Sequence, residues 1–176
     1  MLMNKKQIYI LICLTAVCLL MGGCGQKKKD MVSKKGFFFD TMISVSIYCD
    51  SKEQGEKLLN EVFAMCGGYE NTFSRTKEES ELYRLNHRTE NEVSVSDDLY
   101  ALLACAKEYY DKTDGRFDIS VAPLSDIWDF KSENPKVPDA GQIKKVLEKV
   151  DYSLVHLEPD NTVRFDEQDT MLDLGA

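Results

Sequence analysis

The chain has 176 residues, about one domain's worth, which excludes a large multidomain assembly. Hydrophobic residues make up 43% and charged residues 30%, the balance of a globular chain that can bury a core rather than of a disordered or fibrous one. Acids outnumber bases 30 to 22, and Lys5 and Lys6 are the only charges before Cys24, so the remainder carries 20 bases against 30 acids. Nucleic acid is a poor partner for such a surface, because binding it needs clustered cations.

The N-terminus reads as a targeting segment. Lys5 and Lys6 precede an apolar run from Ile8 to Met21, small residues Gly22 and Gly23 lead into Cys24, and no acid occurs before Asp30. An apolar stretch of about 16 residues is short of the ~20 needed to span a bilayer. Leu20-Met21-Gly22-Gly23-Cys24 resembles the lipobox of bacterial lipoproteins. That resemblance implies a signal peptide over residues 1–23, lipidation at Cys24, and a bacterial cell-membrane location on the extracytoplasmic face. Residues 24–35, with Lys27, Lys28 and Lys29, read as a tether, and the folded part is expected over 36–176.

From Phe37 to Cys49, apolar Phe39, Ile43, Val45, Ile47 and Cys49 alternate with polar Asp40, Ser44 and Ser46, the period of a half-buried strand. Ser51 stands three residues before Gln54, and Leu58, Leu59, Val62, Phe63 and Cys66 form an apolar stripe, so a helix of about four turns is expected to end at Gly67-Gly68. Ser96 caps a second stripe of Leu99, Leu102, Leu103, Ala106 and Tyr110 that stops before Thr113-Asp114-Gly115. Asp139 with Gln142 opens a third, carrying Ile143, Val146 and Leu147. The tail reads as a hairpin across Pro159-Asp160-Asn161, followed by a further strand over Met171-Leu172-Asp173-Leu174. This order predicts an α+β fold, with a mixed or antiparallel sheet and packed amphipathic helices. Leu172-Asp173-Leu174-Gly175-Ala176 stops on an apolar strand, so the chain reads as truncated at its C-terminus.

Cys49, Cys66 and Cys105 remain after the N-terminal cysteines. They are odd in number and lie within apolar patterns, so buried free thiols are expected, with one disulfide and a spare thiol as the alternative. His87 and His156 have no serine or cysteine motif beside them and read as structural.

The densest chemistry lies in Thr113-Asp114-Gly115-Arg116-Phe117-Asp118 and on through Trp128-Asp129-Phe130. Two acids and an arginine are interleaved with aromatics after a helix end. Such a segment either faces a ligand or covers the core, and the residues alone leave both open.

The same segment resembles the signature of bacterial FAD:protein FMN transferases, the ApbE-type flavin transferases. Three others agree in order: Phe39-Asp40-Thr41 with Val45-Ser46-Ile47, Phe73-Ser74-Arg75 with Ser80 to Asn86, and Leu172 to Ala176 as the start of a glycine-rich motif. The resemblance implies transfer of the FMN half of FAD to a Thr or Ser hydroxyl of a target flavoprotein, with a divalent metal, normally Mg2+, and release of AMP. It places Phe39, Arg116, Phe117, Asp118 and Asp173 on FAD and gives the Ala176 carbonyl to the metal. It names no catalytic residue. Thr76 stands where the family often has an aromatic. The lysine that follows the Ala176 position in the family, and the later metal motif, lie beyond this chain, so the 176 residues alone are expected to be inactive. The alternatives are an FAD pyrophosphatase and a non-catalytic flavin-binding lipoprotein.

Overall fold

The structure is a computed structural model that describes Asn4, Lys6, Tyr9, residues 29–130 and residues 132–175. The rest of the expected signal peptide, Cys24 and Ala176 lie outside the described residues. Among those described, no helix is long and apolar enough to cross a membrane. The chain divides into two compact units, Met1–Lys34 with Val45–Leu59, and Lys35–Ser44 with Asn60–Ala176.

Strands β1 (Asp30–Phe38) and β2 (Thr41–Cys49) pair through a two-residue turn, and helix α1 (Lys52–Phe73) follows. In the first unit the Ser33 and Ser46 hydroxyls meet across the strands at 2.8 Å, and the Cys49 thiol donates to the Asp30 carbonyl at 3.4 Å. Ser51 caps α1 as expected, accepting from the Gln54 N–H at 3.3 Å. Gly55 is required here, because a Cβ would sit 2.6 Å from both the Cys49 sulfur and a Val32 methyl. Residues 30–35, expected in the tether, belong to β1. Val32, Gly36 and Phe38 are its half-buried positions, and Lys34 between them hides the two-residue period from a sequence reading.

The second unit holds the larger core. Helix α2 (Glu81–Asn86), strand β3 (Glu92–Ser94), helix α3 (Asp97–Lys112), a 3₁₀ turn (Ile119–Val121) and helix α4 (Ala122–Trp128) come first. Helix α5 (Ala140–Leu147), a second 3₁₀ turn (Tyr152–Leu154), β4 (Val155–Glu158) and β5 (Thr162–Phe165) complete it. The sheet order is β3-β5-β4, antiparallel throughout, with Val93 and Leu157 both opposite Val163. Asp160 and Asn161, at φ 56° and 55°, make the three-residue connection from β4 to β5 with Pro159, and the Thr162 N–H closes it on the Pro159 carbonyl at 3.3 Å. Leu82 and Leu85 of α2 and Leu99, Leu103 and Ala106 of α3 pack with Tyr152, Val155, Val163, Phe165 and Leu172. Each such Leu or Val contributes about 1.5–3 kcal/mol by leaving water. Ser96 caps α3, and Asp139 with Gln142 forms the full capping box on α5, both as expected.

Four further expectations change. The single strand expected from Phe37 to Cys49 is interrupted at Phe39-Asp40, whose positive φ angles turn the chain from the end of β1 into β2. Helix α1 does not stop at Gly67-Gly68. The glycines cost about 1 kcal/mol each, but the turn beyond them is held by Tyr69 stacked on Phe73 and by the Glu70 carboxylate accepting the Phe39 N–H at 2.8 Å. Residues 171–174 form no strand. The Asn86 amide takes the place of a neighbouring strand, donating to the Leu172 carbonyl and accepting its N–H, each at 2.8 Å. The three cysteines are free, but only Cys49 is buried, and Cys105 is exposed. The apolar stripe on α3 is wider than its buried face, and Cys105 lies with Leu102 and Tyr109 on the outer part.

Arg88 holds the approach to residues 171–174. It is buried, its guanidinium lies 3.4 Å above the Phe165 ring, and it donates to the carbonyls of Glu167, Gln168 and Thr170 at 2.8 to 3.1 Å. Burial pulls its pKa down to about 10, against the opposing pull of Asp169.

Candidate functional site

The site residues all lie in the second unit, around Asp173. Its N–H donates to the Ile119 carbonyl at 2.7 Å, which, with the Asn86 clamp on Leu172, fixes the backbone. Its carboxylate accepts from the Ser125 hydroxyl at 2.9 Å, the Gly175 N–H at 2.8 Å and Arg75 Nε at 3.1 Å. About three of four acceptor positions are thereby taken, leaving one for a ligand.

Arg75 is aimed by the turn that carries it. The Ser74 hydroxyl accepts from the N–H groups of Thr76 and Lys77, and the Ser80 hydroxyl donates to the Ser74 carbonyl while Ser80 caps α2. From this turn Arg75 reaches Asp126 at 2.7 Å with Nη1 and Asp173 with Nε, so one guanidinium bridges two carboxylates that are 47 residues apart in sequence.

Phe39 and Asp40 form the tip of the first hairpin at φ 53° and 55°. Left-handed backbone costs a non-glycine residue roughly 1–2 kcal/mol, and the bond from the Phe39 N–H to Glu70 offsets part of it. At the other edge, α3 ends as Asp114 and Gly115 turn through φ 51° and 73°, and the Phe117 N–H is tied to the Thr113 hydroxyl at 2.9 Å. Asp118 then caps the first 3₁₀ turn, accepting from Ser120 N–H at 2.7 Å and Ser120 hydroxyl at 2.6 Å, and its second oxygen accepts the Tyr152 N–H at 3.1 Å. Burial first, and the Asp118 charge second, raise the pKa of the Tyr152 hydroxyl.

Two cavities adjoin these residues. The more polar one, of about 440 Å³, is lined by Phe39, Arg75, Thr76, Ser125, Phe130 and Asp173, among others. An apolar one of about 650 Å³ is lined by Leu102, Ala106, Tyr109, Phe117, Asp118 and Asp173, among others. Asp173 and Gly175 belong to both. Four of the residues singled out from the sequence, Phe39, Phe117, Asp118 and Asp173, are therefore brought together. Arg116 is not: its exposed side chain reaches the Thr113 carbonyl at 3.3 Å and Asp114 at 3.8 Å, and it lines neither cavity. Ala176 lies outside the described residues. Arg75, Ser125 and Asp126 were not singled out as site residues. Arg75 carried a sequence signal, since Phe73-Ser74-Arg75 precedes the capping serine of α2, and its partner Asp173 was singled out, but nothing in the sequence tied either to Asp126.

The fold is α+β, and its two adjoining cavities carry Arg75, Asp126 and Asp173 at one end and Tyr109 and Phe117 at the other. Residues 39–176 match the ApbE family, and the chain belongs to it. It is 29% identical over 173 residues to the FAD:protein FMN transferase of Treponema pallidum (strain Nichols), covering 91% of this chain and 47% of that protein. It is 31% identical over 123 residues to the FAD:protein FMN transferase of Klebsiella pneumoniae (strain 342), covering 69% and 39%. Among solved structures, the flavin transferase ApbE from Vibrio cholerae superposes with a TM-score of 0.72 at 22% identity, over 84% of this chain and 48% of that one. The ApbE protein from Thermotoga maritima gives 0.73 at 24%, over 83% and 48%. These structures share the α+β fold expected from the sequence. The chain spans about half the length of the curated relatives it matches, or less.

Proposed function

We propose that the protein carrying this chain transfers the FMN half of FAD to a Thr or Ser hydroxyl of a target flavoprotein. The hydroxyl oxygen bonds to the FMN phosphorus, the bond to the second phosphate breaks, AMP leaves and the hydroxyl proton is released. Displacement at phosphorus depends on positioning and charge neutralisation more than on covalent participation by the protein. The observation that carries the reading is the convergence of Phe39, Phe117, Asp118 and Asp173 on two adjoining cavities in a chain of the ApbE family.

In this reading Asp173 and Asp118 each offer one remaining acceptor position to ribose hydroxyls or a ring N–H. Phe39 and Phe117 supply flat apolar surface, and Arg75 supplies the positive charge at the polar end. Among the described residues, no three His, Cys, Asp or Glu side chains are grouped to hold a metal ion. Magnesium is commonly held by only one or two carboxylates together with waters and phosphate oxygens, so dependence on Mg2+ stays part of the proposal, on the family resemblance. Lipidation at Cys24, holding the protein on the outer side of the cell membrane, is also proposed, from the lipobox.

The test is to incubate the full-length protein with FAD, Mg2+ and a target flavoprotein and to follow AMP together with flavin bound covalently to the acceptor. Equal amounts of both support transfer. AMP and free FMN without covalent flavin would establish hydrolysis instead, and bound FAD with no AMP would establish a binding module.

A further inference from the structure

Phe130 is 74% exposed, and its ring lines the polar cavity beside Phe39. A single exposed Phe is ordinary, but this one is held in place. Its ring stacks parallel on Trp128, with centroids 5.8 Å apart and planes 6° from parallel. Asp129 between them adopts a left-handed conformation at φ 43° that ends α4. The turn is closed on both sides: the Asp129 N–H donates to the Asp126 carbonyl at 3.3 Å, and the Ser132 N–H to the Asp129 carbonyl at 3.0 Å. Trp128 lies parallel to the ring in an offset stack that helps to hold it, so part of the ordering cost of presenting the ring is met before any ligand arrives.

We infer that Phe130, backed by Trp128, is the stacking surface for the isoalloxazine ring. The inference rests on the flavin reading above. An aromatic face takes an offset-stacked partner, and of the two ring systems in FAD the three-ring isoalloxazine overlaps a phenyl face more fully than adenine does. The polar end suits its pyrimidine edge as well. That edge alternates two carbonyl acceptors with one N–H donor, and the cavity offers the Arg75 guanidinium as donor and the Asp126 and Asp173 carboxylates as acceptors. Thr76, on the same lining, offers no ring.

The experiment is a titration of the full-length protein and its Phe130→Ala, Phe130→Leu and Phe130→Trp variants. The probes are FMN, which lacks the adenosine, and ADP-ribose, which lacks the isoalloxazine. Stacking on an aromatic side chain implies roughly fivefold to hundredfold weaker FMN binding by the Ala and Leu variants. ADP-ribose binding should be unchanged, and the Trp variant should retain FMN affinity and quench flavin fluorescence more strongly. The Leu variant separates loss of the ring from loss of bulk, and a thermal melt of each confirms the fold. Unchanged FMN affinity in the Ala and Leu variants overturns the inference alone, as does a loss confined to ADP-ribose, which would put adenine on Phe130. Failure of the unaltered protein to bind FMN or FAD overturns the functional reading and this inference with it.

Discussion

Replacing Arg75 by Met removes the bridge between Asp126 and Asp173 while keeping most of the side chain's bulk. The two halves of the bridge differ in worth. The Asp126 carboxylate is 48% exposed, so its pairing is screened and contributes at most about 1 kcal/mol. The Asp173 and Arg75 side chains are only 15% and 19% exposed, and a charge-assisted bond there is worth about 1.5–3 kcal/mol. In the variant Asp173 keeps only the Ser125 hydroxyl and the Gly175 N–H. The expected cost is about 2–3 kcal/mol, a fall in Tm of roughly 4–12 °C at 2–4 °C per kcal/mol, with FAD affinity reduced roughly tenfold to a hundredfold. Arg75→Lys keeps the charge without the fork and should fall between the two. Thermal melts beside FAD titrations check this, and wild-type Tm with wild-type affinity in Arg75→Met would refute the role given to the bridge.

Asp118→Ala removes a cap and orphans the Tyr152 N–H, so Tm should drop by the equivalent of about 1–2 kcal/mol; an unchanged melt would show that its carboxylate serves the ligand alone. Arg88→Ala frees three carbonyls of residues 167–170 at a cost of about 2–4 kcal/mol, and amide exchange of residues 170–173 should quicken more than exchange in α3. The Asp151 carboxyl is held below the usual range by the Ser153 hydrogen bonds first and the Tyr110 hydroxyl after them. A depressed folded-state pKa stabilises above the unfolded value and is lost as pH falls through the folded one, so the Tm gap between wild type and Asp151→Asn should be constant near pH 7 and close below about pH 4. Cys24→Ala should release the full-length protein from the membrane fraction; continued retention after normal signal removal would contradict lipidation.

Much of the fold was legible because its determinants are local. Ser51, Ser96 and the Asp139 with Gln142 box each mark a helix start by a side chain that bonds backbone two or three residues on. The Pro159-Asp160-Asn161 turn is local as well, because Asp and Asn tolerate the positive φ angles it needs. What the sequence concealed depends on partners far along the chain. Gly67-Gly68 looks like a stop until Glu70 is seen holding the strained Phe39 tip. Leu172 looks like a strand residue until the Asn86 amide is found in the neighbour's place. The site divides likewise. Asp173 stands out as an acid in an apolar run, but nothing near it in sequence points to Arg75, 98 residues away. Asp118 was legible as a site residue, and the structure adds that most of its hydrogen-bonding capacity goes to Ser120 and Tyr152.

The central claim is that the cavities joined at Asp173 hold FAD, and a calorimetric titration of FAD into the full-length protein and its Asp173→Asn variant tests it most directly. The account predicts saturable one-to-one binding by the unaltered protein, weakened roughly tenfold to a hundredfold in the variant by loss of a charged acceptor. Equal affinity for FAD in both proteins, with both folded, would contradict it.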